Sequence, residues 1–124
     1  MAIRGSSRGT VAIADENDSL RSLLSRVLEQ AGYQVVAQAD NGAEAISIVA
    51  AHRPDFVILG ERMPYMTGSQ AARLIRRAIP RVGIILWSGT NVEDFEGIDA
   101  VISKHHIRDL PEVLDALANT QKVG

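Results

Sequence analysis

The run Phe56–Leu59 (FVIL) is apolar at every position, and a strand with no polar side is one covered on both faces. Four further short β-prone runs accompany it: Thr10–Ala14 (TVAIA), Gln34–Ala39 (QVVAQA), Val82–Trp87 (VGIILW) and Ala100–Ser103 (AVIS). Between them the apolar residues change period. Leu20, Leu23, Leu24, Val27, Leu28 and Ala31 recur at three- and four-residue spacing, which places them on one face of a helix. Asp18 or Ser19 is placed to cap that helix and Gly32 to stop it. Asn41-Gly42 breaks the second strand, and Ala45, Ile46, Val49 and Ala50 predict a second helix ending before Pro54. Ala71, Ala72, Leu74, Ile75 and Ala78 predict a third after Gly68. Leu110, Val113, Leu114, Leu117 and Ala118 predict the last, with Asp109 as cap and Glu112 three residues on.

Strands alternating with helices imply right-handed βαβ units and a parallel sheet covered on both faces. Five strands fit an α/β, three-layer, flavodoxin-like (βα)5 doubly wound sheet. In such sheets the functional crevice lies at the carboxyl ends of the strands, near the switch in strand order. Those ends carry Asp15 and Glu16, then Gly60, then Ser88, then Lys104. With 124 residues the chain has room for one domain, expected over 10–119. Residues 1–9 (MAIRGSSRG) are expected to be a flexible leader, and 120–124 a tail or the start of a linker.

Composition excludes several classes. A net charge of −2 does not suit a polyanion binder, and the absence of cysteine excludes disulfides and thiolate metal sites. It suits a reducing cytoplasm. No apolar stretch approaches the roughly 20 residues of a membrane span, and the N-terminus has no apolar core of a secretory signal. Neither a Gly-rich phosphate loop, nor a catalytic triad, nor zinc-ligand spacing is present.

Two acids, a hydroxyl and a lysine at one sheet edge are the groups that phosphoryl chemistry with Mg²⁺ uses. Here the chain resembles the response-regulator receiver domain of bacterial two-component signalling, from about Val11 to Asn119. The resemblance rests on the acid pair Asp15-Glu16 after strand one, "RPDFVIL" leading into strand three, "MPYMTG" after it, "IILWSG" at strand four and "AVISK" at strand five. It implies a phosphorelay role in signal transduction and transcription regulation.

The resemblance also exposes a departure. Where family members carry the aspartate that accepts the phosphoryl group, this chain has Gly60, and the flanking "PDFVIL" and "RMP" leave little freedom to shift the register. Glycine cannot form an acyl phosphate or supply a side-chain metal ligand. Glu61 is the possible substitute acceptor. Adjacent strand residues point to opposite faces, however, so its carboxylate is expected to aim away from the crevice and to be a solvated loop side chain. Asp15 and Glu16 remain as a remnant acidic pocket, a weak magnesium candidate without the strand-three ligand. Asp15 is expected to accept backbone N–H bonds or to pair with Lys104.

Other positions carried over from the family have changed too. Ser88 and Gly89 match the hydroxyl and small residue that accommodate the phosphoryl group, and Lys104 matches the family lysine. The proline usual after that lysine is replaced by His105, which favours a trans bond, and the aromatic of the switch is replaced by Val101. Ser88 and Lys104 are also closer in sequence than usual, so the fourth family helix, over "TNVEDFEG" with Phe95 its one large apolar anchor, is expected to be short, distorted or absent. The remaining features read as structural: His105 and His106 in a loop, Arg73, Arg76, Arg77 and Arg81 on a solvated helix face, and Trp87 as core or crevice wall.

The expectation is therefore a cytoplasmic pseudo-receiver: not an enzyme, without a cofactor, and without direct nucleic-acid or membrane binding. It would act by protein contacts, as a homodimer or through a DNA-binding output domain in a longer chain, an option the ending KVG favours. The alternatives are a receiver phosphorylated on Glu61, and a ligand sensor whose small molecule enters the space vacated at Gly60.

Overall fold

The computed structural model describes residues 8–89, 92 and 95–123. Five strands run parallel in one sheet: β1 (Gly9–Ala14), β2 (Tyr33–Ala39), β3 (Phe56–Gly60), β4 (Gly83–Ser88) and β5 (Ala100–Ser103). They lie in the order β2-β1-β3-β4-β5. Helices α1 (Asp18–Gln30), α2 (Gly42–His52), α3 (Gly68–Ala78) and α4 (Leu110–Val123) cover the two faces, with a 3₁₀ segment, Lys104–Asp109, leading into α4. This is the doubly wound arrangement expected from the alternation of periods. β3 and β4 are buried at every position, as the unbroken apolar runs require.

Alternation along each strand divides the core in two. Val11, Ile13, Phe56, Ile58, Ile85 and Trp87 face α1 and α4, where Leu24, Leu28, Leu110 and Leu114 complete the layer. Ala12, Ala14, Val57, Leu59, Ile84 and Leu86 face α2 and α3, meeting Ala45, Val49, Ala71, Ala72 and Ile75. Period-two alternation carries on into the residue just past each strand. Asp15 and Gly60 continue the α1/α4 face, while Glu61 continues the α2/α3 face.

The helix starts depart from expectation in three places. Asn17, one residue before the expected caps, is the N-cap of α1 and accepts the Leu20 N–H at 3.1 Å. Asp18 is inside the first turn instead, paired with Arg21. Asp109 is the end of the 3₁₀ segment and not a cap, because the chain enters α4 without leaving helical geometry. For α3, Thr67 and Gln70 form a reciprocal capping box, a pattern present in the sequence as T-x-x-Q.

Between β4 and β5, none of the described residues is helical. The expected short or absent fourth family helix falls partly on Thr90, Asn91, Glu93 and Asp94, which lie outside the described residues. What holds this connection is Arg76. Its guanidinium donates to Pro80 O and Val82 O, both at 2.7 Å, to Gly97 O at 3.1 and 3.2 Å, and to Asp99 at 2.5 Å. Asp99 in turn accepts the Ile84 N–H at 2.8 Å. Arg76 therefore belongs to the fold rather than to a solvated face.

Candidate functional site

The switch in strand order falls between β1 and β3, and the residues that end those strands meet there. Asp15 is fully buried. Its Oδ1 accepts the Asn17 N–H at 2.9 Å, and Lys104 Nζ lies 3.1 Å from its Oδ2. That oxygen has no aligned hydrogen-bond donor among the described residues, so the ammonium holds it by charge rather than by a directed bond. Arg21 fixes the backbone beneath, donating to Asp15 O at 2.6 Å. Lys104 also stands 5.1 Å from the centroid of the Trp87 ring, within cation–π range. Trp87 itself is fully buried.

Gly60 pairs in register with Trp87 and is buried. A Cβ built at this position would collide with Asp15 Oδ2 and lie 3.0 Å from Asp15 Cγ. The carboxylate of Asp15 thus occupies the place where a side chain at residue 60 would begin. The space beside Gly60 is filled from within the crevice.

Glu61 turns to the other face, as period two requires, but it is not a solvated loop side chain. Its Oε1 accepts the Ser69 N–H at 2.8 Å and the Ser69 hydroxyl at 2.9 Å. The carboxylate caps the first turn of α3, where unpaired N–H groups and the helix dipole favour negative charge. The backbone reinforces the contact: Gly68 N–H donates to Glu61 O at 3.0 Å. Gly68 is glycine because a Cβ there would strike Gly60 O and lie 2.7 Å from Leu86 Cδ1.

The other crevice positions are less drawn together. Ser88 is buried at the end of β4, in register with Ser103. Gly89 is exposed, with open space where a Cβ would stand. Val101 lies on β5 opposite Leu86 and is partly solvent-accessible. Glu16 is exposed. His105 and His106 lie in the 3₁₀ segment, His106 at a kink with non-helical φ −119° and ψ 39°, and Ser103 Oγ accepts the His105 N–H at 3.2 Å. The Lys104–His105 bond is trans.

These residues do not suit Mg²⁺, which demands several oxygen ligands in octahedral array. Asp15 is committed to Lys104 and Asn17, residue 60 supplies no side chain, and Glu16 stands in solvent. Sequence reasoning did not anticipate Arg21, Ser69 or the Lys104–Trp87 stack. Ser69 was findable, since the expected inversion of Glu61 aims it at the start of α3.

A doubly wound parallel sheet with an acid, a hydroxyl and a lysine at its carboxyl edge defines a class of signalling domains, and comparison with known proteins agrees. Residues 11–114 match the family model "Response regulator receiver domain"; the chain belongs to this family. It is 32% identical over 91 residues to the chemotaxis protein CheY of Bacillus subtilis, covering 73% of this chain and 75% of that protein. It is 38% identical over 90 residues to a protein-glutamate methylesterase/protein-glutamine glutaminase of Haloarcula marismortui, where the match covers 70% of this chain but only 24% of the relative. The chain thus spans about a quarter of the length of such relatives. Among solved structures, a LuxR-family DNA-binding response regulator from Staphylococcus aureus superposes with a TM-score of 0.79 at 26% identity, covering 87% of this chain and 97% of that one. No helix among the described residues is long and apolar enough to cross a membrane.

Proposed function

We propose that this receiver domain works without phosphorylation, through protein contacts made by a permanently set crevice, and is not itself an enzyme. The observation that carries this reading is the position of Asp15. Its carboxylate fills the place of a residue-60 side chain and is neutralised there by Lys104. An acceptor carboxylate is missing, and the two groups that would attend a phosphoryl group bind each other. Glu61 is a poor substitute, because phosphorylating it would uncap α3. A small ligand at residue 60 would have to displace the Asp15 carboxylate. In a longer chain, the contacts would regulate an attached output domain such as a DNA-binding module, the kind named for the Staphylococcus aureus relative.

Intact-protein mass spectrometry after incubation with acetyl phosphate and Mg²⁺ tests this, with Gly60→Asp alongside. The wild type should gain no phosphoryl adduct while the variant gains one. The variant should still not dimerise on phosphorylation, because Val101, His105 and the altered β4–β5 connection remain. A labile adduct on the wild type would overturn the reading, and its loss in Glu61→Gln would identify the acceptor.

A further inference from the structure

On the α1/α4 side of the sheet, α1 and the 3₁₀ segment enclose a cleft of about 510 Å³, lined by Leu23, Arg26, Val27, Gln30, Ile107 and Arg108. We propose that this cleft binds a small amphiphilic carboxylate, an apolar tail ending in a single carboxylate head. The site is separate from the crevice, and the proposal does not depend on whether residue 60 takes a phosphoryl group.

The floor is apolar. Leu23 and Val27 are one turn apart on α1 and Ile107 faces them from the 3₁₀ segment. Leu23 leaves 42% of its surface in solvent, a high fraction for a leucine inside a lined cleft. The charge is of one sign. Arg26 and Arg108 line the same space, and their side chains make no hydrogen bond or ion pair among the described residues. Glu29 and Asp109, the nearest acids in sequence to these arginines, do not line it. Two guanidiniums beside one cavity repel each other, and a carboxylate relieves that repulsion while accepting their paired N–H donors. Gln30 adds a carboxamide able to donate or accept.

Size and sign then choose among occupants. From Leu23 to Gln30 the helix rises only about 10 Å, and six residues line the cleft. Stable protein interfaces engage about 20–30 residues a side, whereas small-molecule sites commonly have volumes of about 300–1,000 Å³. A second copy of this chain meeting the cleft about a twofold axis would bring Arg26 and Arg108 against their own equivalents. A small anion with an apolar tail answers all three constraints. Occupancy would also bear on the crevice, because Ile107 and Arg108 belong to the same 3₁₀ segment that begins at Lys104.

The test is a titration of the full ¹⁵N-labelled chain with octanoate, monitored by amide chemical shifts, with acetate and octylamine as controls. Octanoate should give saturable shifts confined to residues 23–30 and 104–110. Acetate, which lacks the tail, and octylamine, which reverses the charge, should leave those amides nearly unmoved. The exposed pair Arg26→Glu/Arg108→Glu should weaken binding at least about tenfold. Leu23→Lys, which keeps both arginines and spoils the floor, should weaken it independently. Equal saturation by octylamine, or octanoate shifts spread over other surfaces, would overturn the proposal. Saturation of the same amides by an acidic amphipathic peptide but not by octanoate would overturn it in favour of a protein-binding face.

Discussion

The carboxylate of Asp15 stands where the first side-chain atom of residue 60 would be placed, so a side chain at residue 60 requires that carboxylate to shift or to be absent. This relationship makes the identity of residue 60 a packing matter as well as a chemical one. Gly60→Ala should destabilise the fold by about 2 kcal/mol, in the range for inserting a methyl group into filled space. In a double-mutant cycle with Asp15→Ala, measured by urea unfolding, most of that cost should vanish. Additive losses would show that the collision is relieved elsewhere.

The capping of α3 by Glu61 leads to a second expectation. Glu61→Ala removes the acceptor for the Ser69 N–H and hydroxyl, and should cost about 1–2 kcal/mol, the range for losing a strong helix cap. Glu61→Gln, which keeps an oxygen acceptor, should cost less. Hydrogen exchange should localise the loss to the first turn of α3. Equal exchange in wild type and Glu61→Ala would mean that the Thr67–Gln70 box holds the turn alone.

Arg76 binds four carbonyl-bearing or acidic partners around the β4–β5 connection with one planar fork. Lysine carries the charge but not the fork. Arg76→Lys should therefore lose about 2–3 kcal/mol, several directed bonds of about 1 kcal/mol each partly offset by water. Exchange at Ile84, Ile98 and Asp99 should accelerate. A loss below about 0.5 kcal/mol would reduce Arg76 to a surface cation.

Tyr33 provides a pH dependence. Burial, and then the hydrogen bond its hydroxyl donates to Asp115, push its phenol well above the usual range. The unfolded phenol releases its proton near pH 10 while the folded one keeps it, so above that pH the unfolded state binds fewer protons and stability falls as pH rises. Thermal unfolding between pH 9 and about 11.5 should show a steeper alkaline loss in wild type than in Tyr33→Phe. Parallel curves would show that the phenol does not govern the alkaline limb. At pH 7 the variant should lose about 1 kcal/mol.

Much of this was legible in the residues. Unbroken apolar runs such as FVIL and the change to helical spacing around them dictated a two-sided parallel sheet, and period two alone sent Glu61 away from the crevice. The Asp15–Lys104 pair was one of two outcomes the strand-end residues allowed, and both occur together, since Asn17 N–H also bonds Asp15. The rest depended on distances between segments remote in sequence. That Ser69 receives Glu61, that Lys104 lies over Trp87, and that Arg76 replaces solvent with five directed bonds are consequences of how α3 and the 3₁₀ segment settle on the sheet. Spacing along the chain carries no record of that docking.

Trp87 is the chain's one tryptophan, and the Lys104 ammonium lies over its ring. An indole excited state responds to a nearby cation, so the emission of this domain should change when Lys104 moves off the ring. The crevice comes with its own optical gauge, and any partner, ligand or substitution that draws Lys104 away will announce itself as a change of colour and intensity, without a label.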